Sequence, residues 1–144
     1  MNYQILKTEI ALPTYSGMTD QEIADSLNAA TVSTFKKVDY ADVASYLMLV
    51  EKYLPIKKSS EGLTPKDSAE SFMLAMRTFQ SFDLKKPGVE TAVVNLLDAL
   101  IVDALLTTSD KAAILSLADD TISRARELDL PVIKTGHIET ARGI

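Results

Sequence analysis

A chain of 144 residues has the usual length of a single domain, and 47% hydrophobic with 24% charged residues is the composition of a globular protein rather than a disordered one. The absence of cysteine excludes disulfides, thiolate metal sites and cysteine nucleophiles. A net charge of −5 opposes non-specific attraction to nucleic acid and to anionic membranes, so we expect neither as a partner.

Two helices are predicted near the N-terminus. Apolar residues at helical spacing predict the first over 2–11, and Pro13 bars its continuation. Thr19 and Glu22 form a capping-box pattern, which predicts the start of a second helix that stops near Asn28. No apolar run here has the length that a signal peptide needs, so we expect none.

The next segment is the most ambiguous part of the chain. Residues 29–38 are rich in threonine and valine, and we expect an extended connector, while a helix also fits the pattern. Asp39 is placed to cap a helix that reaches about Tyr53, and we expect Pro55 to end it.

A further helix is predicted from the Thr64-Pro65 pair. A hydroxyl that can cap, followed by proline at the first helical position, is typical of a helix start. We assign Phe72, Phe79 and Phe82 to this helix.

The most apolar segment predicts a central helix over about 89–106. Because apolar residues lie nearly all round this helix, we expect other helices to enclose it. It is too short to span a bilayer, and Asn95, Asp98 and Asp103 make it too polar. An enclosed central helix would leave no room for an active centre, so we expect the protein to act through its outer surface.

The remaining elements are also predicted to be helical. They are a helix over 111–117, a helix opened by Asp119 or Asp120, and a last short turn over 135–142. No internal repeat or linker divides the chain. We therefore predict an all-α fold in a single domain, 1–144, with about seven helices packed around the central one.

No group of residues in the sequence is typical of a catalytic or metal site. The one histidine, His137, lies two positions from Glu139 and would face away from it in a helix or a strand, so we interpret it as a surface residue near a helix start. Asp98 and Asp103 lie too far round a helix to bind one ion. The glycines stand singly, which is not the pattern of a phosphate loop. We expect no enzymatic activity, metal or cofactor.

One segment imitates a DNA-binding motif. Residues 19–37 resemble a helix-turn-helix, in which Ser33, Thr34, Lys36 and Lys37 would be the nucleic-acid contacts on the second helix. The acidic total and the nearby carboxylates oppose this alternative. A helix at the second position would favour DNA binding, and an extended strand would remove it.

Two segments near the ends of the chain form a recognisable pattern. The first is GMTDQEIA, starting at Gly17, with Leu27 and Asn28 after it; the second is TISRARELDL, 121–130, followed by ARG at 141–143. Together they resemble a group of small, mostly uncharacterised tailed-bacteriophage proteins that are encoded among virion genes. The match covers roughly a third of the chain.

This resemblance implies a phage origin and a role in or around the particle, located in the virion or the host cytoplasm. We therefore expect a non-enzymatic virion-associated or assembly protein, a helical docking module for capsid, neck or tail proteins. Its partners would be other phage structural proteins, and further copies of the chain are an additional option. The alternative is a small phage regulatory protein, which either reads DNA or binds and inhibits a host protein.

Arg124 and Arg126 are the candidate partner contacts. The first interpretation places both side chains with Glu127 on the charged side of a helix, as an exposed ion pair. The alternative is a docking contact, since arginine is enriched at protein interfaces.

Overall fold

The computed structural model describes the whole chain, Met1–Ile144. About 60% of the residues are helical, in nine helices, and four strands form two small sheets. The fold is therefore mixed α/β, and the prediction of an all-α bundle of about seven helices is wrong. In chain order the elements are α1 (Tyr3–Ile10), α2 (Asp20–Asn28), β1 (Ala30–Phe35), β2 (Val38–Asp39), α3 (Tyr40–Leu49), α4 (Tyr53–Glu61), α5 (Asp67–Thr78), β3 (Ser81–Phe82), α6 (Val89–Val102), α7 (Thr108–Ser116), β4 (Asp119–Ser123), α8 (Arg124–Glu127) and α9 (Thr135–Gly143).

Contacts within the chain divide it into two compact units. Unit 1 consists of Met1–Thr34 and Asp120–Ile144, and unit 2, Phe35–Asp119, is inserted between these two segments. Each unit has a core of buried apolar side chains. The single domain expected over 1–144 stays a prediction, because two compact units of one chain can fold together or apart.

Unit 1 is held together by local caps and by contacts between its two segments. The predicted capping box is confirmed: the Thr19 hydroxyl accepts the Glu22 N–H at 3.2 Å, and the Glu22 carboxylate accepts the Thr19 N–H at 2.7 Å. The Asn28 amide pairs with both backbone groups of Ile133, at 2.7 and 2.8 Å. The core of unit 1 is formed by Leu6, Tyr15, Ile23, Ala24, Leu27, Ala125, Leu130, Ile133, Ile138 and Ala141.

Unit 2 combines five helices with a minimal antiparallel sheet. In this sheet β2 pairs with β3, so that Val38 lies opposite Phe82 and Asp39 opposite Ser81. The core is formed by Val38, Tyr40, Val43, Leu47, Ile56, Ala69, Phe72, Phe82, Leu84, Val93, Leu97, Leu100, Leu106, Ile114 and Ala118.

The strands β1 and β4 confirm one expectation and contradict another. The extended connector expected over 29–38 is confirmed, since β1 covers most of it. The helix expected from Asp119 or Asp120 is wrong, because those residues begin β4, which pairs with β1. β-Branched Thr121 and Ile122 favour extended backbone, and the distant partner strand supplies the hydrogen bonds that make it stable.

Pro55 lies in the first turn of a helix rather than ending one. α3 stops at Leu49, the backbone turns through Glu51 in the left-handed conformation (φ 59°), and α4 starts at Tyr53. Pro55 then lies in the first turn of α4, where its missing N–H costs no intrahelical hydrogen bond. The expectation that Pro55 ends the preceding helix is therefore wrong.

The central helix expected over 89–106 is shorter than predicted and is not enclosed. α6 ends at Val102, because Ala104 takes the left-handed conformation (φ 58°), and only Val93, Leu97 and Leu100 are buried on it. Val102 is 84% exposed, and the residues of the exposed face are Thr91, Asn95, Ala99 and Val102. Alanine is favoured in helices by its intrinsic propensity, so an alanine-containing apolar run does not require burial on every side. The expectation that an enclosed central helix leaves no room for an active centre therefore loses its basis.

Candidate functional site

An apolar groove of about 440 Å³ opens in unit 2 where α5 ends and α6 begins. α5 stops at Thr78 because Phe79 turns to extended backbone while its N–H still bonds the Ala75 carbonyl at 2.9 Å. Gly88, at φ 80°, permits the left-handed turn that starts α6. We call this recess the Phe79 groove, and its lining residues are Tyr40, Ala75, Phe79, Ser81, Phe82, Asp83, Lys86, Val89, Ala92, Val93 and Leu96.

Two aromatic rings pack against each other in the lining of the groove. Tyr40 and Phe82 are buried and pack edge to face, with ring centroids 5.3 Å apart and planes at 61°. The pairing of β2 with β3 holds both, and the Tyr40 N–H donates to the Gln80 carbonyl at 3.0 Å. Burial raises the pKa of Tyr40 above its usual 10.0, so its hydroxyl remains a hydrogen-bond donor at neutral pH.

The walls of the groove are apolar and come from two helices. Val89, Val93 and Leu96 follow helical spacing along α6. Phe79 stands opposite them at the end of α5 and is 60% exposed. An aromatic side chain left this exposed beside an apolar recess is the arrangement found at the anchor points of protein interfaces.

The polar rim of the groove is asymmetric. The Asp83 carboxylate accepts a hydrogen bond from the backbone N–H of Lys85 at 3.0 Å, within the turn before α6. Lys86 forms no ion pair within the chain. The rim therefore carries one charge of each sign, the Asp83 carboxylate and the Lys86 ammonium, and only the carboxylate has a hydrogen-bond partner within the turn.

Sequence reasoning did not identify this groove. It assigned Phe79 and Phe82 to one helix, whereas Phe79 follows the end of α5 and Phe82 belongs to β3. The only local signal is the Pro87-Gly88 break, which marks a turn but not what packs beside it.

Arg124, one of the two predicted partner contacts, is engaged inside unit 1. Its Nε and Nη2 donate to the two carboxylate oxygens of Glu9, both at 2.9 Å, in a bidentate pair. Its Nη1 donates to Glu127 at 2.6 Å, and the Tyr15 hydroxyl donates to Glu9 at 2.9 Å. Arg126 is exposed and its side chain forms no ion pair, so the two arginines play different roles.

Burial and charge shift the pKa values in this cluster. The bond from Arg124 lowers the pKa of the buried Glu9 carboxyl below 4.5, against an opposing effect of burial. Burial first, and the bond to Glu9 second, raise the pKa of Tyr15 to about 12. Bonds to Glu9 and Glu127 raise the pKa of Arg124. At neutral pH the Glu9 carboxyl and the Arg124 guanidinium are therefore both charged, while the Tyr15 hydroxyl is neutral and donates to a carboxylate with little access to water.

The residues of the helix-turn-helix alternative do not form a recognition helix. Ser33 and Thr34 lie in β1, and Lys36 and Lys37 follow it directly. A helix-turn-helix contacts the bases of the major groove with its second helix, and here a strand stands where that helix would be. Lys36 and Lys37 instead line a cleft beside α3.

The other polar residues singled out in the sequence have hydrogen-bond or ion-pair partners within the chain. Asp98 forms an ion pair with Lys111 at 2.6 Å, and Asp103 accepts a hydrogen bond from the Ser68 hydroxyl. His137 lies in the first turn of α9, where its Nδ1 accepts the Lys134 N–H at 3.2 Å. No group of three or more histidine, aspartate and glutamate side chains could hold a metal ion.

Comparison with known proteins identified no relative of this chain. No protein-family model, curated protein or solved structure matches this chain. None of its helices combines the length and the apolarity needed to cross a membrane.

Proposed function

We propose that this protein is a non-enzymatic docking module of a tailed-bacteriophage particle, or of its assembly, and that it binds another phage protein in the Phe79 groove. The observation that carries the docking role is the groove itself, an apolar recess with a 60% exposed aromatic side chain on its wall. The phage context is supported by the resemblance of the segments at 17–28 and 121–130 to small virion-region proteins.

The lining of the groove defines the chemistry of its ligand. Aliphatic walls and an edge-to-face aromatic pair suit one or two large apolar side chains of a partner segment. Lys86, free of internal ion pairs at the rim, suits a carboxylate next to those side chains. The ligand is therefore a segment of another particle protein with large apolar side chains and a carboxylate at Lys86.

Phe79→Ser is expected to reduce incorporation of the protein into particles about tenfold, because truncating an exposed aromatic anchor removes a large share of interface energy. The free energy of unfolding should change by no more than about 0.5 kcal/mol, since the ring is already largely in solvent. Quantitative mass spectrometry of purified particles measures the first effect, and urea denaturation measures the second.

Leu63→Ser is the matched control, because Leu63 is fully exposed and lies outside the groove. This variant should enter particles at the wild-type level. Absence of the wild-type protein from purified particles would contradict the particle role. Wild-type incorporation of Phe79→Ser would contradict the assignment of the groove.

A further inference from the structure

A second surface of unit 2, separate from the Phe79 groove, has a charge pattern that is complementary to the same surface of a second copy. A recess of about 560 Å³ lies along the hairpin of α4 and α5, and we call it the α4–α5 groove. Lys57 and Glu61 line it from α4, and Glu70, Leu74 and Arg77 line it from α5. None of these four charged side chains forms an ion pair within the chain.

The face of α5 that lines this groove has the spacing of a helix–helix interface. Glu70, Met73, Leu74 and Arg77 follow the i, i+3, i+4, i+7 pattern, which places them in one row along the helix. Leu74 is 56% exposed in the middle of this row, while Glu70 and Arg77 stand at its two ends. An apolar centre with a charge on either side is the arrangement that lets helices pair with a defined register.

The order of the charges along α5 indicates which kind of partner fits this surface. Glu70 lies in the first turn of α5 and Arg77 in the last. If a second α5 packs antiparallel about a two-fold axis between Met73 and Leu74, each Glu70 faces Arg77 of the other copy. A two-fold interface uses the same patch twice and must therefore be self-complementary, and an acidic residue and a basic residue at equal distances on either side of the axis meet that condition. A patch of one sign would instead require a different partner.

We propose that two copies of this chain associate through the α4–α5 groove, with α5 packed antiparallel against α5 of the second copy. Two Glu70–Arg77 ion pairs flank a contact of Met73 and Leu74 across the axis. Lys57 and Glu61, on the α4 side of the same groove, contribute one further charge of each sign to the interface. This inference does not rest on the Phe79 groove or on the phage context.

Charge reversal at the two ends of the row provides the test, with sedimentation equilibrium of the full chain as the measurement. Wild-type protein should show a concentration-dependent monomer–dimer equilibrium. Glu70→Arg and Arg77→Glu should each weaken self-association at least about tenfold, because like charges then face each other twice. An equimolar mixture of these two variants should form a dimer again, since every facing pair in the mixed dimer has opposite charges.

Glu90→Arg is the matched control. Glu90 is an exposed acidic residue in the first turn of α6, as Glu70 is in α5, so the substitution has the same effect on a helix dipole outside the groove. This variant should dimerise like the wild type, and circular dichroism checks that each variant folds. A wild-type protein that stays monomeric up to about 1 mM would overturn the proposal. So would a mixture of the two reversed variants that remains monomeric.

Discussion

Leu97→Ala is expected to lower the free energy of unfolding by about 2–5 kcal/mol, the largest effect of any substitution considered for this chain. Leu97 is 1% exposed on α6 and belongs to the core of unit 2 together with Phe72, Leu100 and Ile114. Removing its branched side chain takes away apolar contacts and leaves a cavity that close-packed neighbours fill only in part. Urea or thermal denaturation followed by circular dichroism measures the loss.

Val102→Ala on the same helix is the matched control. Val102 is 84% exposed, so its truncation should change the free energy of unfolding by no more than about 0.5 kcal/mol. The better helix propensity of alanine partly offsets the lost methyl groups. Similar losses from both substitutions would mean that α6 is buried on all sides, which would contradict the one-sided burial seen in the structure.

Arg124→Leu is expected to lower the free energy of unfolding by about 2–3 kcal/mol. The substitution leaves the Glu9 carboxylate, which is buried, without its bidentate partner. Breaking a fully buried pair costs about 3–5 kcal/mol, and the smaller value here allows for solvent screening, because the Arg124 side chain is 35% exposed. Chemical denaturation of the variant and of the wild type at neutral pH measures the difference.

The same pair predicts how stability depends on pH. Because the folded-state pKa of Glu9 lies below 4.5, its ionised form stabilises the fold at pH values above 4.5, and this contribution is lost as the pH falls below it. In Arg124→Leu the main cause of that shift is gone and burial raises the pKa instead, so the acid-side loss of stability should become smaller or reverse. Denaturation curves at a series of pH values from neutral to acidic test the slope.

A double variant separates the effect of the unpaired buried charge from the effect of the changed side-chain volume. Glu9→Gln with Arg124→Leu removes the buried charge but keeps an oxygen that accepts the Tyr15 hydroxyl. It should be more stable than Arg124→Leu alone, because no ionised group is then left buried without a partner. If the double variant is the less stable of the two, the ion pair is not the reason for the loss.

Some short-range patterns in the sequence predicted the structure correctly, whereas two proline patterns did not: α5 begins at Asp67 rather than after Thr64, and Pro55 lies inside α4. The capping box joins Thr19 and Glu22, which are three positions apart, so its hydrogen bonds can form wherever the chain bends into a helix. Helical spacing likewise indicated α1, α2 and α9 close to their observed bounds. The extended segment at β1 followed from its β-branched residues.

The candidate site could not be derived in the same way. Phe79 is exposed because α5 ends one residue before it, and it borders a groove because α6 packs beside α5. Leu74 looks like a core residue by spacing alone, yet it is 56% exposed. Apolar spacing identifies a face that can be buried, and only the packing of neighbouring elements determines whether that face is covered.

The sequence by itself determined where α1, α2, α3, α6 and α9 start, that Thr19 caps α2, and that one segment before α3 is extended, since these depend on neighbours within a few positions. The tertiary structure alone decided that β4 is a strand, that Arg124 pairs with Glu9, and that α6 has a solvent-exposed side. These outcomes depend on residues more than eighty positions apart or on different helices. Their energies arise from hydrogen bonds, desolvation and packing between segments, which no local pattern encodes.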